Sequence, residues 1–290
     1  MKSANSGTAL VEGLANFCLT RPVGRVTIIA ALMSIFDLQA IPALSDNYIW
    51  LMADHSGRCV LVDPGEAAPA LQALRDQSLD LAAILLTHHH FDHIDGVPQL
   101  RAAFPNARVV AGSDPRFGDV DVRVGDGDRV EVPRTEFAFD VIAVPGHTLS
   151  HQVYFGHGLL FSGDTLFSAG CGRLFEGTPA QMLASLDRLC ALPGDTRVCC
   201  GHEYTLDNLA FASSIEPGNR TIQARIEEVR RVRADDQPSL PSVLSGELCY
   251  NPFLRTDQPD VIAALGGAGR SRSERFGELR RRKDAFKVAI

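Results

Sequence analysis

The chain has 290 residues, 28 Lys+Arg against 35 Asp+Glu (formal net charge −7), and is 45% apolar and 22% charged. That composition excludes a disordered chain and fits one large globular domain, or one with an appendage; the net acidity argues against nucleic acid as a partner. The longest early apolar run, Val26 to Phe36, is 11 residues, well short of the ~20 that a membrane-spanning helix needs, so no membrane partner is expected.

Residues 1–32 show no clear period and hold one acid, Glu12. Arg21 and Arg25 precede an apolar stretch, but no cleavage site follows it. The segment reads as a poorly ordered extension, with Met33 the natural start. From Ser34 the pattern becomes regular. Asn47–Ala53 and Arg58–Val62 read as strands, the second ending in the turn Asp63-Pro64-Gly65. Ala67–Gln77 reads as a helix and Leu81–Thr87 as a buried strand. Ala107–Gly112 and Phe137–Val144 are further strands. Gln152–Phe155 and Leu159–Phe161 form a hairpin turning at Gly156-His157-Gly158. Thr178-Pro179-Ala180-Gln181 opens a helix with a capping box, and that helix should run to Cys190. Arg197–Cys200 is the last clear strand. Beyond Glu203 the chain turns helical and polar: Asn219–Gln237, a Pro/Ser loop at 238–242, then two more helical stretches. The expected division is an extension (1–32), a strand-and-helix domain (33–204) and a helical domain (205–290).

Cysteines stand at 18, 59, 171, 190, 199, 200 and 249. Their odd count and the lack of any C-x-x-C argue against a disulfide framework and for a reducing, cytoplasmic setting. Cys190, Cys199 and Cys200 lie in apolar stretches and read as small core residues. Residues 270–287 carry eight basic and three acidic side chains, net +5, leaving −12 for the remainder.

The chemistry sits where polar residues interrupt apolar runs. Leu81–Thr87 is followed by His88-His89-His90-Phe91-Asp92-His93. Val141–Gly146 is followed by His147, Leu159–Gly163 by Asp164, and Val198–Gly201 by His202. If the four strands are neighbours, their ends converge on one sheet edge. Imidazole and carboxylate without thiolate suit a catalytic Zn²⁺, Mn²⁺ or Fe²⁺ site rather than a structural zinc. In extended backbone His88 and His90 point the same way while His89 points elsewhere. Seven ligands are too many for one catalytic ion. They suit two divalent ions: His88, His90 and His147 on one, Asp92, His93 and His202 on the other, and Asp164 bridging. His55, His151 and His157 read as ordinary histidines, although His151 could support a ligand. Asp63 could fix a ligand imidazole or serve only its turn.

The run Thr87–His93, with His147, Asp164 and His202, resembles the metallo-β-lactamase superfamily, which implies an αββα sandwich with metals at one edge. Gly163–Phe167, Gly170–Thr178, Gly201–Thr205, Asn251–Arg255 and Arg280–Lys287 resemble the glyoxalase II (hydroxyacylglutathione hydrolase) family over residues 33–290. That resemblance implies glutathione contacts at Arg173, Tyr204, Arg280 and Lys283. Animal members carry tyrosine where this chain has Phe175, so one phenolic donor is absent and Phe175 would make an apolar or backbone contact. The basic tail would then meet the two carboxylates of glutathione.

The implied reaction is hydrolysis of S-(2-hydroxyacyl)glutathione thioesters, above all S-D-lactoylglutathione to D-lactate and glutathione, by a hydroxide between the metals. Asp164 would hold the metals and Asp92 orient the hydroxide. Zinc is the expected metal, with iron or manganese as alternatives, and a monomer is expected. The competing reading is an iron-dependent persulfide dioxygenase of the same superfamily; such enzymes lack the long C-terminal helical domain.

Overall fold

The computed structural model describes residues 36–266 and 269–287. The expected extension at 1–32 and Cys18 lie outside the described residues. The first sheet takes β1 (Phe36–Ala43), β2 (Asn47–Asp54), β3 (Arg58–Val62), β4 (Asp80–Leu85), β5 (Arg108–Ala111) and β6 (Val122–Arg123), side by side in that order. The hairpins β1–β2 and β2–β3 are antiparallel; β3 to β6 run parallel. Parallel neighbours need crossovers. Helix α1 (Ala67–Asp76) supplies the first. The second holds α2 (Phe91–Ile94) and α3 (Val97–Ala103).

The second sheet has β7 (Arg129–Glu131), β8 (Ala138–Ala143), β9 (Gln152–Gly156) and β10 (Leu159–Gly163). A short hairpin follows, β11 (Leu166–Phe167) and β12 (Gly170–Cys171), before α4 (Pro179–Cys190), β13 (Arg197–Cys200) and β14 (Ser242–Val243). The order is β14-β13-β10-β9-β8-β7, with β10 and β13 parallel. Helices α5 (Thr205–Ile215) and α6 (Arg220–Ala234) precede β14; α7 (Leu244–Tyr250), α8 (Pro259–Ala264) and α9 (Arg272–Ala285) follow it.

Strand periodicity sorts the apolar residues into layers. Along β2, Tyr48, Trp50 and Met52 face the second sheet, where they join Phe139, Val141, Tyr154 and Phe161 in one core. The alternate residues Ile49, Leu51 and Ala53 face α1 and α3 through Ala70, Leu74 and Leu100. The outer face of the second sheet (Val153, Leu160, Val198) packs on Met182, Leu186 and Leu189 of α4, and on Phe211, Phe253, Phe276 and Leu279. The layers are therefore helix, sheet, sheet, helix, as the αββα reading requires. This last core runs without a break across residue 205.

Two local readings hold in detail. Thr178 and Gln181 form the reciprocal capping box. The β9–β10 hairpin pairs Gly156 with Leu159. Four expectations change. Strand β1 goes unread in the sequence, three helices rather than two follow the 238–242 loop, and Cys190 is only partly buried while Cys199 and Cys200 are core. The ligand-bearing strands are not all neighbours: β4 lies in the first sheet, and β9 separates β8 from β10 in the second. No helix among the described residues is long and apolar enough to cross a membrane.

Phe276 is fully buried against Phe253, with ring centroids 5.6 Å apart. Phe276→Ala should lower stability by about 3–5 kcal/mol in urea unfolding. An unchanged midpoint would remove α9 from the cooperative unit.

Candidate metal centre

The candidate ligands gather at one end of the sandwich, from loops of both sheets. His88 and His90 follow β4 in irregular backbone. Asp92 and His93 lie on the single turn α2 rather than in a simple turn. His147 follows β8, Asp164 stands directly after β10, and His202 comes two residues after β13.

Two sets of donor atoms face Asp164. In the first, His90 Nδ1 lies 3.1 Å from His88 Nε2 and 3.0 Å from His147 Nε2. Asp164 Oδ2 is 3.4 Å from His147 Nε2 and 4.0 Å from His88 Nε2. In the second, Asp92 Oδ2 lies 3.5 Å from His93 Nε2 and 3.4 Å from His202 Nε2, while Asp164 Oδ1 lies 3.4 and 3.3 Å from the same two nitrogens. Ligands about 2.0–2.1 Å from a tetrahedral ion stand roughly 3.3 Å apart, close to these separations. The two oxygens of Asp164 thus address different sets, as a bridging carboxylate must.

The far side of each imidazole shows which nitrogen is free to bind. His88 Nδ1 meets Thr87 Oγ1 (3.1 Å), His93 Nδ1 meets Asp63 Oδ2 (3.0 Å), His147 Nδ1 meets the Arg173 carbonyl (2.8 Å) and His202 Nδ1 meets Asp46 Oδ1 (2.7 Å). Donation to these oxygens turns the Nε2 of each of these four rings inward, the orientation that metal ligation requires. His93 Nε2 and Asp164 Oδ1 are buried with no hydrogen-bond partner. Buried polar atoms without partners are costly, and a pair of cations satisfies both. By this test the residues fit two divalent ions.

Electrostatics favour ionised carboxylates and divide the imidazoles. Burial opposes ionisation of Asp164, but the His202 and His93 imidazoles outweigh it and hold the carboxyl well below its usual range. Asp92 is likewise held low against burial, by the neighbouring His93 imidazole and a hydrogen bond from Asn47. Burial pushes His88 well below the usual imidazole range. Against burial, Asp164 raises His93 well above that range and His202 to about 9, so these two hold protons that bound cations would displace.

Two glycines permit this crowding. Gly163 has φ +47°, a left-handed turn that aims Asp164 off its strand. A Cβ on Gly201 would stand 2.7 Å from His93 Cε1 and 2.8 Å from Asp164 Oδ1.

Of the supporting residues, Asp63 was readable as a candidate. It accepts from the Thr87 amide (2.8 Å) and hydroxyl (2.6 Å) as well as facing His93. His151 does support the site: its Nε2 accepts the Asp164 amide (3.1 Å), and its ring stacks on His88. Asp46 and Asn47 were missed. Asn47 donates to Asp92 Oδ2 (3.1 Å). Their Ser45-Asp46-Asn47 context reads as ordinary turn chemistry, which hid them.

A cleft of about 590 Å³ runs from this cluster to the C-terminal helices. Arg173, Phe175, Tyr204, Arg280 and Lys283 all line it, with Phe91, Phe167, Asp207, Asp284 and Phe286, which sequence reasoning did not single out. Tyr204 stacks on His202 at 4.7 Å, and Phe175 sets its edge against His147 and His90. Lys283 donates to the Asp207 carbonyl (3.0 Å). Arg280 is buried and already engaged: it donates to the Cys171 carbonyl (2.7 Å) and to Asp284 (2.9 Å).

The basic tail as a whole is mostly spent inside the fold. Arg270, Arg281 and Arg282 meet Glu278, Arg272 bridges Asp187 and Asp257, and Arg275 pairs with Asp257. Among the described basic residues of 270–287, Arg280 and Lys283 alone line the cleft.

Comparisons with known proteins agree with this geometry. The model of the metallo-beta-lactamase superfamily matches residues 44–202, and that of the hydroxyacylglutathione hydrolase C-terminus matches residues 203–286. A hydroxyacylglutathione hydrolase of Xanthomonas campestris pv. campestris is 49% identical over 255 residues, covering 87% of this chain and 99% of that protein. That of Photobacterium profundum is 49% identical over 251 residues, covering 86% and 99%. Among solved structures, ETHE1 from Myxococcus xanthus matches with TM-score 0.59 and 24% identity, over 87% of this chain and 99% of that one. The BLEG-1 B3 metallo-beta-lactamase matches with TM-score 0.59 and 24% identity, over 75% and 99%. These two likenesses show the fold alone. The identity shared with the two hydrolases over nearly their whole length shows more: the chain belongs to the hydroxyacylglutathione hydrolase (glyoxalase II) family of the metallo-β-lactamase superfamily.

Proposed function

We propose that this chain hydrolyses S-(2-hydroxyacyl)glutathione thioesters, with S-D-lactoylglutathione as substrate and D-lactate and glutathione as products. The observation that carries the reading is the single cleft joining the Asp164 donor cluster to Arg173, Tyr204, Arg280 and Lys283. In this reading residues 33–204 form the metal-bearing domain and residues 205–290 the substrate-binding one. In this reading the enzyme acts as a monomer in the cytoplasm.

His88, His90 and His147 with Asp164 Oδ2 would hold one divalent cation; Asp92, His93 and His202 with Asp164 Oδ1 would hold the other. Zinc is the proposed metal, and iron or manganese suit the same donors. When bound, such a pair supplies Lewis acidity to the thioester carbonyl and a water whose pKa falls toward ~7.

The chain's own residues do the rest. Asp92, ionised and anchored by Asn47, accepts a hydrogen bond from the attacking water and orients it. Asp164 holds the two donor sets at a common distance. At the far end of the cleft, Lys283 and Arg173 offer cations to the carboxylates of glutathione, and Arg280 adds its field from behind. Burial keeps the Tyr204 phenol protonated, so it donates. Phe175 gives an apolar edge. The water gives one proton to solvent and its oxygen bonds to the acyl carbon. The C–S bond breaks with the electron pair leaving on sulfur as thiolate, and the proton of the resulting carboxylic acid passes to that thiolate or to solvent. A thiol pKa near ~8.5 makes that departure possible without a dedicated general acid.

Purified protein of measured metal content should turn over S-D-lactoylglutathione, lose that activity to a chelator and regain it with Zn²⁺. Absence of turnover with two metals bound would overturn the reading, and oxygen uptake with glutathione persulfide would favour the dioxygenase instead.

Asp164→Ala should lose bound metal and turnover together, as read by metal analysis and assay. Two ions per chain with normal rates would end its bridging role.

Burial, reinforced by Arg280, pushes the Lys283 ammonium down to about 8. The cation is present below that pH and lost above it, so wild-type kcat/KM should bend downward as pH rises through about 8. Lys283→Arg should remove the bend. Lys283→Ala should raise KM roughly tenfold with little change in kcat. An identical profile and KM in both variants would take Lys283 out of the substrate site.

A further inference from the structure

His89, the middle histidine of its run, turns away from both donor sets. Its Nδ1 lies 3.9 Å from Asp114 Oδ2 and its Nε2 lies 3.9 Å from Glu176 Oε1. Both carboxylates are held by Arg116. Its Nη2 donates to Asp114 Oδ2 (2.6 Å), its Nε to Asp114 Oδ1 (2.9 Å), and its Nη1 to Glu176 Oε1. The remaining lone pairs fasten the loop after His147: Glu176 Oε2 accepts the Leu149 amide (2.8 Å), and Asp114 Oδ2 accepts the Ser150 hydroxyl (2.8 Å). Four chain segments therefore meet around Arg116 and the two carboxylates it holds: the run 88–93, the turn 114–117, the loop 147–150 and the loop 173–177.

The last of these matters most. Residues 172–177 lie between β12 and α4 in irregular backbone, so no ladder fixes them. The segment carries Arg173 and Phe175, both lining the cleft. Its backbone also supports a metal-donor loop: the Arg173 carbonyl faces His147 Nδ1, the Phe175 amide donates to the His147 carbonyl (3.2 Å) and the Gly177 amide to the Gly146 carbonyl (3.0 Å).

We infer that Arg116 is a positioning residue which, by bridging Asp114 and Glu176, sets the loop that presents Arg173 and Phe175 to the glutathione end of the cleft. Its kinetic consequence rests on the thioesterase reading above; the bridge itself does not. A lone exposed ion pair contributes little. This one is a planar fork onto two carboxylates whose side chains are 9% and 23% exposed, and their other oxygens are engaged. Arg116 holds both carboxyls below their usual range.

The test uses the full-length, metal-loaded enzyme with S-D-lactoylglutathione. Arg116→Ala and the near-isosteric Glu176→Gln should each raise KM about fivefold, lower kcat no more than about twofold and leave metal content unchanged. The double variant should be no worse than the more affected single one, because both changes release the same loop. Arg116→Lys should recover part of the KM, since a point charge reaches one carboxylate without forking. Hydrogen exchange at the Phe175 and Gly177 amides should quicken at least about tenfold in Arg116→Ala. Unchanged KM, unchanged exchange or additive effects would overturn the assignment. If the wild-type enzyme does not hydrolyse the thioester, the proposed function fails and the exchange measurement alone decides the role of Arg116.

Discussion

One buried carboxylate must face two groups of imidazoles at once, and most of the molecule is arranged so that it can. Taking Asp164 out of water costs several kcal/mol unless opposite charge surrounds it. Its two oxygens turn toward separate nitrogen sets 3.3 to 4.0 Å away. That requirement explains the left-handed glycine before it, the bare backbone at Gly201 and the oxygen acceptors behind the imidazoles. It also requires both sheets. The donors come from loops of each, so the core between Trp50, Phe139 and Phe161 sets how far apart the donor sets lie.

The positive charge at the C-terminal end divides into two parts. Most of it is mechanical. Arg272 and Arg275 tie the start of α9 to Asp187 and Asp257, and Arg281 and Arg282 fold onto Glu278. Arg280 belongs to both parts: its guanidinium lies over the Phe253 ring and bonds to the Cys171 carbonyl, yet it borders the cleft. Lys283 is the freer cation, because its nearest acceptor is a backbone carbonyl.

The candidate donors were readable because each interrupts an apolar run, and glycine sits before His147, Asp164 and His202. Strands alternating with helices gave a mixed α/β domain. The αββα sandwich came from the resemblance carried by residues 87–93, His147, Asp164 and His202, and the α4 start was readable from a side-chain pair three residues apart. What escaped has physical reasons. Strand β1 is an edge strand containing Pro42, a residue that weakens a strand signal but is tolerated at an edge. Asp46 touches His202 across 156 positions of chain, and no local pattern announces such a partner. The tail's ion pairs were likewise unreadable, since Asp187 lies far back in the chain from Arg272. Residue order alone also left open which strands adjoin, so convergence on one edge became convergence from two sheets.

The core on the outer face of the second sheet is completed by Phe253, Phe276 and Leu279, near the end of the chain. During synthesis the strands of the first sheet and its outer helices can pair early, because all six strands are made by residue 123, while its inner face waits for the second sheet. The second sheet cannot. Its apolar outer face waits for side chains that follow it in the chain, and long-range closure of this kind is slow. Until then Val153, Leu160 and Val198 lie open to solvent or to a chaperone. A chain without α9 would lose more than two cations of the cleft: it would emerge as a sticky, half-covered sandwich.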